Sequence, residues 1–127
     1  MESAETLKRS RNILLKLHKT MMDLERELHE GIHGKLNAGE FLKLLLEDDD
    51  FGWLRKFSML IVEIDEMFDL KENVTPEMVD ANLKKVRDLV EMTDPDDYFR
   101  AKYQFAIQRD PNAAGLHSEL RTLLGKK

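Results

Sequence analysis

Asp65, His18, Glu25 and the group His29, Glu30 and His33 are the side chains whose types and spacing allow acid–base or metal chemistry. Asp65 closes the stretch FGWLRKFSMLIVEIDE (51–66), which reads as a helix that is apolar almost all round. At about 100° per residue, Asp65 falls about 20° from Leu54 and about 20° from Ser58, with Ile61 on the same face. A charge on a buried face must be paired, hydrogen-bonded or neutralised. Asp65 is therefore expected in one of two roles: a buried anchor satisfied by another helix, or a tuned acid, base or metal ligand in a cleft. Arg55 is ten residues away, about 80° round the helix and about 15 Å along it, so any partner must come from elsewhere in the chain.

His18 and Glu25 stand on one edge of the first helix, on a line that also carries Arg11 and Ile32. If that helix packs on the one bearing Asp65, the edge meets the carboxylate. A His–carboxylate pair there would be a proton-transfer site or half of a metal site; the structural alternative is a hydrogen-bonded seam. Glu30-Gly31-Ile32-His33 has the E-x-x-H spacing of di-iron bundle proteins, but those need two such pairs and further carboxylates. His29 and His33, at i and i+4, would hold a divalent ion only weakly, and only if the helix continues past Gly31. No glycine-rich phosphate loop, G-x-S-x-G elbow, H-E-x-x-H or EF-hand spacing is present. LEDDDFG (46–52) is acidic enough to attract a cation but reads as a turn and a helix cap. No residue is assigned as catalytic, cofactor-binding or metal-ligating from these patterns, and no cofactor is implied.

The positioning elements are helices. Leu14, Leu17, Met21, Leu24 and Leu28 alternate spacings of three and four, the seam of a helix from about Ser3 to Glu30. Its length of about 42 Å exceeds a compact domain of this size, so residues 1–10 are expected to fray or overhang. Asn37 with Glu40 forms a capping box opening a second helix over Ala38–Glu47, with Phe41, Leu42 and Leu45 inward together with Leu44 or Leu46. A third helix follows over Phe51–Leu70; its two apolar faces mark it as the hub. Thr75-Pro76, Asp94-Pro95 and Asp110-Pro111 each pair a capping side chain with proline at the first helical position. They open helices ending near Met92, Gln108 and Leu124. The aromatic stripe Tyr98, Phe99, Tyr103 and Phe105 is read as core with tyrosine hydroxyls at the surface. The sum is an all-α, single-domain bundle of about six helices over residues 1–127, with a long N-terminal helix and a central buried third helix.

Composition narrows the function classes. The chain has 127 residues, 42% hydrophobic and 35% charged, enough for one core without disulfides or metals. A net charge of −5 gives no electrostatic reason to expect nucleic acid; Lys8, Arg9 and Arg11 at one end and Lys126 and Lys127 at the other are small clusters. Cysteine is absent, which removes thiolate catalysis and cysteine metal sites. The opening residues MESAETLKRSRN contain no apolar signal segment, and the longest interior apolar run is far short of a membrane span. A cytoplasmic protein without a membrane partner is expected.

LLLEDDDFGWLRKFSMLIVEIDE, with LHKTMMDLERELHE upstream and IQRDP near the end, resembles a family of small bacterial all-helical proteins with an FxWLRxxSxLIxxIDE core. The resemblance implies a bacterial, cytoplasmic helical protein and carries no activity with it. The leading expectation is a non-catalytic interaction module that self-associates or binds a partner protein. The alternative is a small metal-dependent or acid–base enzyme using Asp65 with His18 and Glu25, or with His29 and His33. A carrier of an apolar small molecule is the third reading.

Overall fold

The computed structural model describes residues 2–125; Lys126 and Lys127 lie outside the described residues. Six helices fill this span: α1 (Glu2–His33), α2 (Ala38–Glu47), α3 (Arg55–Phe68), α4 (Pro76–Val90), α5 (Asp97–Arg109) and α6 (Pro111–Gly125). Two 3-10 turns, Asp49–Leu54 and Lys71–Asn73, flank α3. No strand occurs among the described residues, so the all-α, single-domain class stands.

The helix starts follow local chemistry. Asn37 accepts from the Glu40 amide at 2.8 Å while Glu40 accepts from the Asn37 amide at 2.9 Å, a complete capping box. Thr75 caps α4 through the Met78 amide, with Pro76 behind it, and Asp110 caps α6 through the amides of Asn112 and Ala113. At α5 the cap is Asp96, one residue past the expected Asp94-Pro95, because Asp94 instead accepts from the Asp96 amide and pairs with Lys56 at 2.9 Å.

Two helix ends differ from expectation. α1 continues through Gly31 to His33: an internal glycine costs only about 1 kcal/mol, and the left-handed residue that ends the helix is Gly34, at φ 91°. α4 stops at Val90 because Met92 takes φ 57°. The Met92 and Thr93 amides then donate back to Leu89 and Asp88, the paired bonds of a Schellman cap with methionine where glycine is usual.

α1 is the spine of the bundle. It packs against α6, α3, α4 and the 3-10 turn before α3. Partners of successive α1 residues descend along the chain (Lys8 over the Phe68 ring, Arg11 to Asp65, Glu25 to Trp53), so α1 and α3 run antiparallel. Leu7, Leu14, Leu17 and Met21 are wholly buried in its seam, and Ser10 is buried with its hydroxyl donating to the Thr6 carbonyl at 2.8 Å. The expected overhang of residues 1–10 is therefore corrected: Ala4, Leu7 and Ser10 lie within the packed bundle. The end that projects is the other one, where Gly31, Ile32 and His33 are exposed.

The third helix is likewise not the hub. Residues 49–54 form the 3-10 turn that inserts Phe51, Trp53 and Leu54 into the core, and only one face of α3 (Phe57, Leu60, Ile61, Ile64, Met67) is buried. Met59 and Val62 point outward. α2 buries Phe41 alone; Leu42 is outward, contrary to expectation, because the helix packs chiefly on the 3-10 turn and needs only one face. Trp53, Phe57, Phe99 and Tyr103 form an aromatic cluster joining that turn, α3 and α5. Of the aromatic stripe, Phe99 and Tyr103 are core while Tyr98 and Phe105 are exposed.

Tyr103 Oη lies 2.8 Å from His117 Nδ1 on α6. Burial pushes the phenol up, so it keeps its proton and pairs with a neutral imidazole. His117 is held below the ordinary histidine range by burial and by Arg121, and His18 by burial alone. Both bind fewer protons folded than unfolded, so stability is complete above the unfolded histidine value of 6.5 and falls as pH drops through it. Urea unfolding at about pH 7.5 and about pH 5.5 should show a loss on the order of 1 kcal/mol at the lower pH, reduced in His117→Gln; a flat profile would contradict the buried neutral imidazoles.

Candidate functional site

Asp65 faces α1, and Arg11 meets it in a bidentate pair, Nε to Oδ1 and a terminal nitrogen to Oδ2, both at 2.9 Å. The edge of α1 that sequence analysis aimed at Asp65 does reach it, through Arg11. The expectation of a buried carboxylate is corrected, since the Asp65 side chain keeps 46% of its exposure. The pairing expected of a structural anchor is present at the surface. Part of the basic charge near the N-terminus is thereby spent inside the fold, and Lys8 sits 5.3 Å from the centre of the Phe68 ring.

Glu25 is the buried carboxylate. It is 5% exposed, one of three buried polar or charged residues among the described residues, with Ser10 and Asn82. Its Oε1 accepts from Lys102 Nζ at 3.0 Å, and its Oε2 from the Trp53 indole at 3.3 Å. Each partner comes from a different element, α5 and the 3-10 turn, so one carboxylate ties three segments together. Both oxygens are occupied, and no buried side-chain nitrogen or oxygen lacks a partner among the described residues.

The group at the end of α1 is also taken up by the fold. Glu30 accepts from the Leu36 amide at 2.8 Å and from Arg26 at 3.3 Å, while Arg26 donates to the Leu36 carbonyl at 2.7 Å. The Leu36 amide first, and then Arg26, hold the Glu30 carboxyl below the usual range. This closes the turn into α2. The His29 and His33 rings are 4.5 Å apart, and His29 also approaches Phe51 at 5.9 Å. His18 is partly buried and makes no hydrogen bond among the described residues.

These candidates do not gather. At 1.5 Å rise per residue, Arg11 and its Asp65 lie about 21 Å along α1 from Glu25, and His33 lies about 12 Å further. No group of three histidine, aspartate or glutamate side chains able to hold a metal occurs among the described residues. The E-x-x-H pair in particular is undone by the engagement of Glu30 with Leu36 and Arg26.

Two surface clefts were not legible in the sequence. One of about 600 Å³ between α3 and α4 has Met59, Leu60, Leu89 and Pro95 as its apolar lining. It is bridged by Lys85 to Glu63 at 2.7 Å and by Lys56 to Asp94 at 2.9 Å. The other, of about 400 Å³, lies between His29 and the Lys43, Leu44 and Glu47 side of α2. Lys56, Lys85 and Glu63 carry no local signal of pairing, since each partner lies at least 22 residues away. Lys102 is likewise 77 residues from Glu25.

Compared with protein-family models, curated proteins and solved structures, the chain finds no match in any of the three.

The geometry ranks the two carboxylates. Glu25→Ala leaves the buried Trp53 indole unpaired and takes the partner from the partly exposed Lys102 ammonium, and should cost about 2–3 kcal/mol in urea unfolding. Asp65→Ala removes a half-exposed pair and should cost about 1 kcal/mol or less. The reverse order would mean that Asp65, not Glu25, fixes the packing.

Proposed function

We propose that this chain is a non-catalytic interaction module of the bacterial cytoplasm, and that its binding surface is α2. One observation carries the reading. Leu42 and Leu46 are one turn apart on the outer face of α2, with 56% and 64% of their surface exposed. Ala38 and Gly39 lie on the same stripe at about 100° per residue, so a facing backbone can approach closely. α2 spends Phe41, Leu44 and Leu45 on the rest of the domain and leaves these two leucines unused. Exposed apolar side chains in a row along one helix are the recognition pattern of helix pairing.

The disposition of the polar residues supports the same reading. Asp65, Glu25 and Glu30 are each committed to internal partners, and the acid–base alternative needs several of them in one accessible pocket. The seam of α1 offers no such surface, because its leucines are consumed inside the bundle. The cytoplasmic, bacterial setting is supported by the resemblance of the FGWLRKFSMLIVEIDE segment and by the cysteine-free composition.

A photo-crosslinking amino acid in place of Leu46, compared with one in place of the exposed Lys84 on α4, tests the assignment in cells. Discrete protein adducts at position 46 and not at position 84 are expected. Equal labelling at both positions, or none at 46, would overturn it.

A further inference from the structure

We infer that the partner of α2 is α2 of a second copy, the two helices packed antiparallel about a twofold axis. The inference rests on the reading of α2 as the binding surface and names its occupant. An isologous contact requires a self-complementary patch, in which residue i meets residue j and j meets i. Along α2 the charge is divided for that. Lys35 precedes the helix and Lys43 lies in its first two turns, whereas Glu47, Asp48, Asp49 and Asp50 form a continuous acidic run at its end. Glu40, the one acid in the first half, is held in the capping box with Asn37.

Antiparallel pairing sets the basic half of each helix against the acidic run of the other. It also opposes the two helix dipoles, placing the acidic residues of one copy beside the positive N-terminus of its mate. A parallel arrangement would stack the two acidic runs. With Leu42 facing Leu46 across the axis, Lys43 and Glu47 lie along the same flank, on the edge of the leucine stripe. Each lysine then reaches the opposite glutamate, so the contact occurs twice in the symmetric pair.

The segment is well placed to dock. α2 packs chiefly on the 3-10 turn, at the projecting end of α1 where Ile32 and His33 are also exposed, so a second copy can approach without meeting the body of the bundle. Ten residues make a helix about 15 Å long. That is a small contact by the standard of stable complexes, and the pairing is expected to be concentration-dependent.

Sedimentation equilibrium of the full chain from about 10 µM to about 1 mM reads the inference directly. A monomer–dimer equilibrium is expected. Leu46→Asn should weaken it about tenfold or more, equivalent to 1.4 kcal/mol; since the side chain is exposed, the fold should be unchanged by circular dichroism. Lys43→Glu should weaken dimerisation about threefold, and Lys43→Glu combined with Glu47→Lys should restore it. A monomer at every concentration would overturn the inference. So would a dimer insensitive to Leu46→Asn but abolished by Val62→Asp on α3, or a double charge exchange that fails to restore what the single exchange loses. A monomer that still gives adducts to another protein at position 46 would overturn self-pairing and leave the interaction reading of α2 standing.

Discussion

A carboxylate about three-quarters of the way along the longest helix has been taken out of water, and the rest of the bundle is arranged round that fact. Glu25 has no charged neighbour on its own helix that satisfies it; its oxygens are met by Lys102 from α5 and Trp53 from the 3-10 turn. An ionised group so placed is tolerated only where its geometry is fully met. α5 must therefore lie at the height on α1 that brings Lys102 to Glu25, and the turn before α3 must deliver the indole. The turn brings Phe51 and Leu54 with it, and the aromatic cluster of Trp53, Phe57, Phe99 and Tyr103 follows. Apolar burial supplies the bulk of the driving force here, as in any domain. The carboxylate selects which of many greasy packings is adopted.

The same logic accounts for the other polar residues that drew attention as chemistry. Arg11 and Asp65 fix the axial register of α1 against α3 at one end, and Arg26 and Glu30 shape the turn into α2 at the other. Three ionic groups spread along α1, Arg11, Glu25 and Glu30, thus act as three register pins. Their spacing is set by what each must reach on a neighbouring element, not by a common substrate. Arg55, which has no acidic partner within its own helix, donates to the Leu45 carbonyl at 3.1 Å and so steadies the last turn of α2.

Much of the fold was legible locally. The Asn37–Glu40 box and the proline-marked starts depend on residues within a few positions of one another, and the structure opens helices at Asn37, Thr75-Pro76 and Asp110-Pro111, while at Asp94-Pro95 the helix begins only at Asp97. The seam of α1 was equally readable because its period persists over several turns. The candidate site was less so. The wheel that put Asp65 on a buried face ran through Leu54, but Leu54 belongs to a 3-10 turn with three residues per turn. The phase accumulated there does not carry into α3, and Asp65 comes out at the surface. Glu25 was noted as a seam-edge residue, yet its partners come from distant segments, and only the packed topology brings Lys102 to it. The expected overhang failed for a related reason: the length of α1 was visible, but not that α6, α3 and α4 would cover its first half.

α2, in contact chiefly with the 3-10 turn, is left with its leucines outward, as α3 is with Met59 and Val62. Native-state hydrogen exchange tests the division between a committed bundle and a loosely held α2 most directly. At low protein concentration, α1 amides between Leu14 and Leu24 should exchange only by global unfolding, while those of α2 exchange by local opening at much lower free energy. Protection of α2 equal to that of α1 would show that the two are one cooperative unit and would contradict the account.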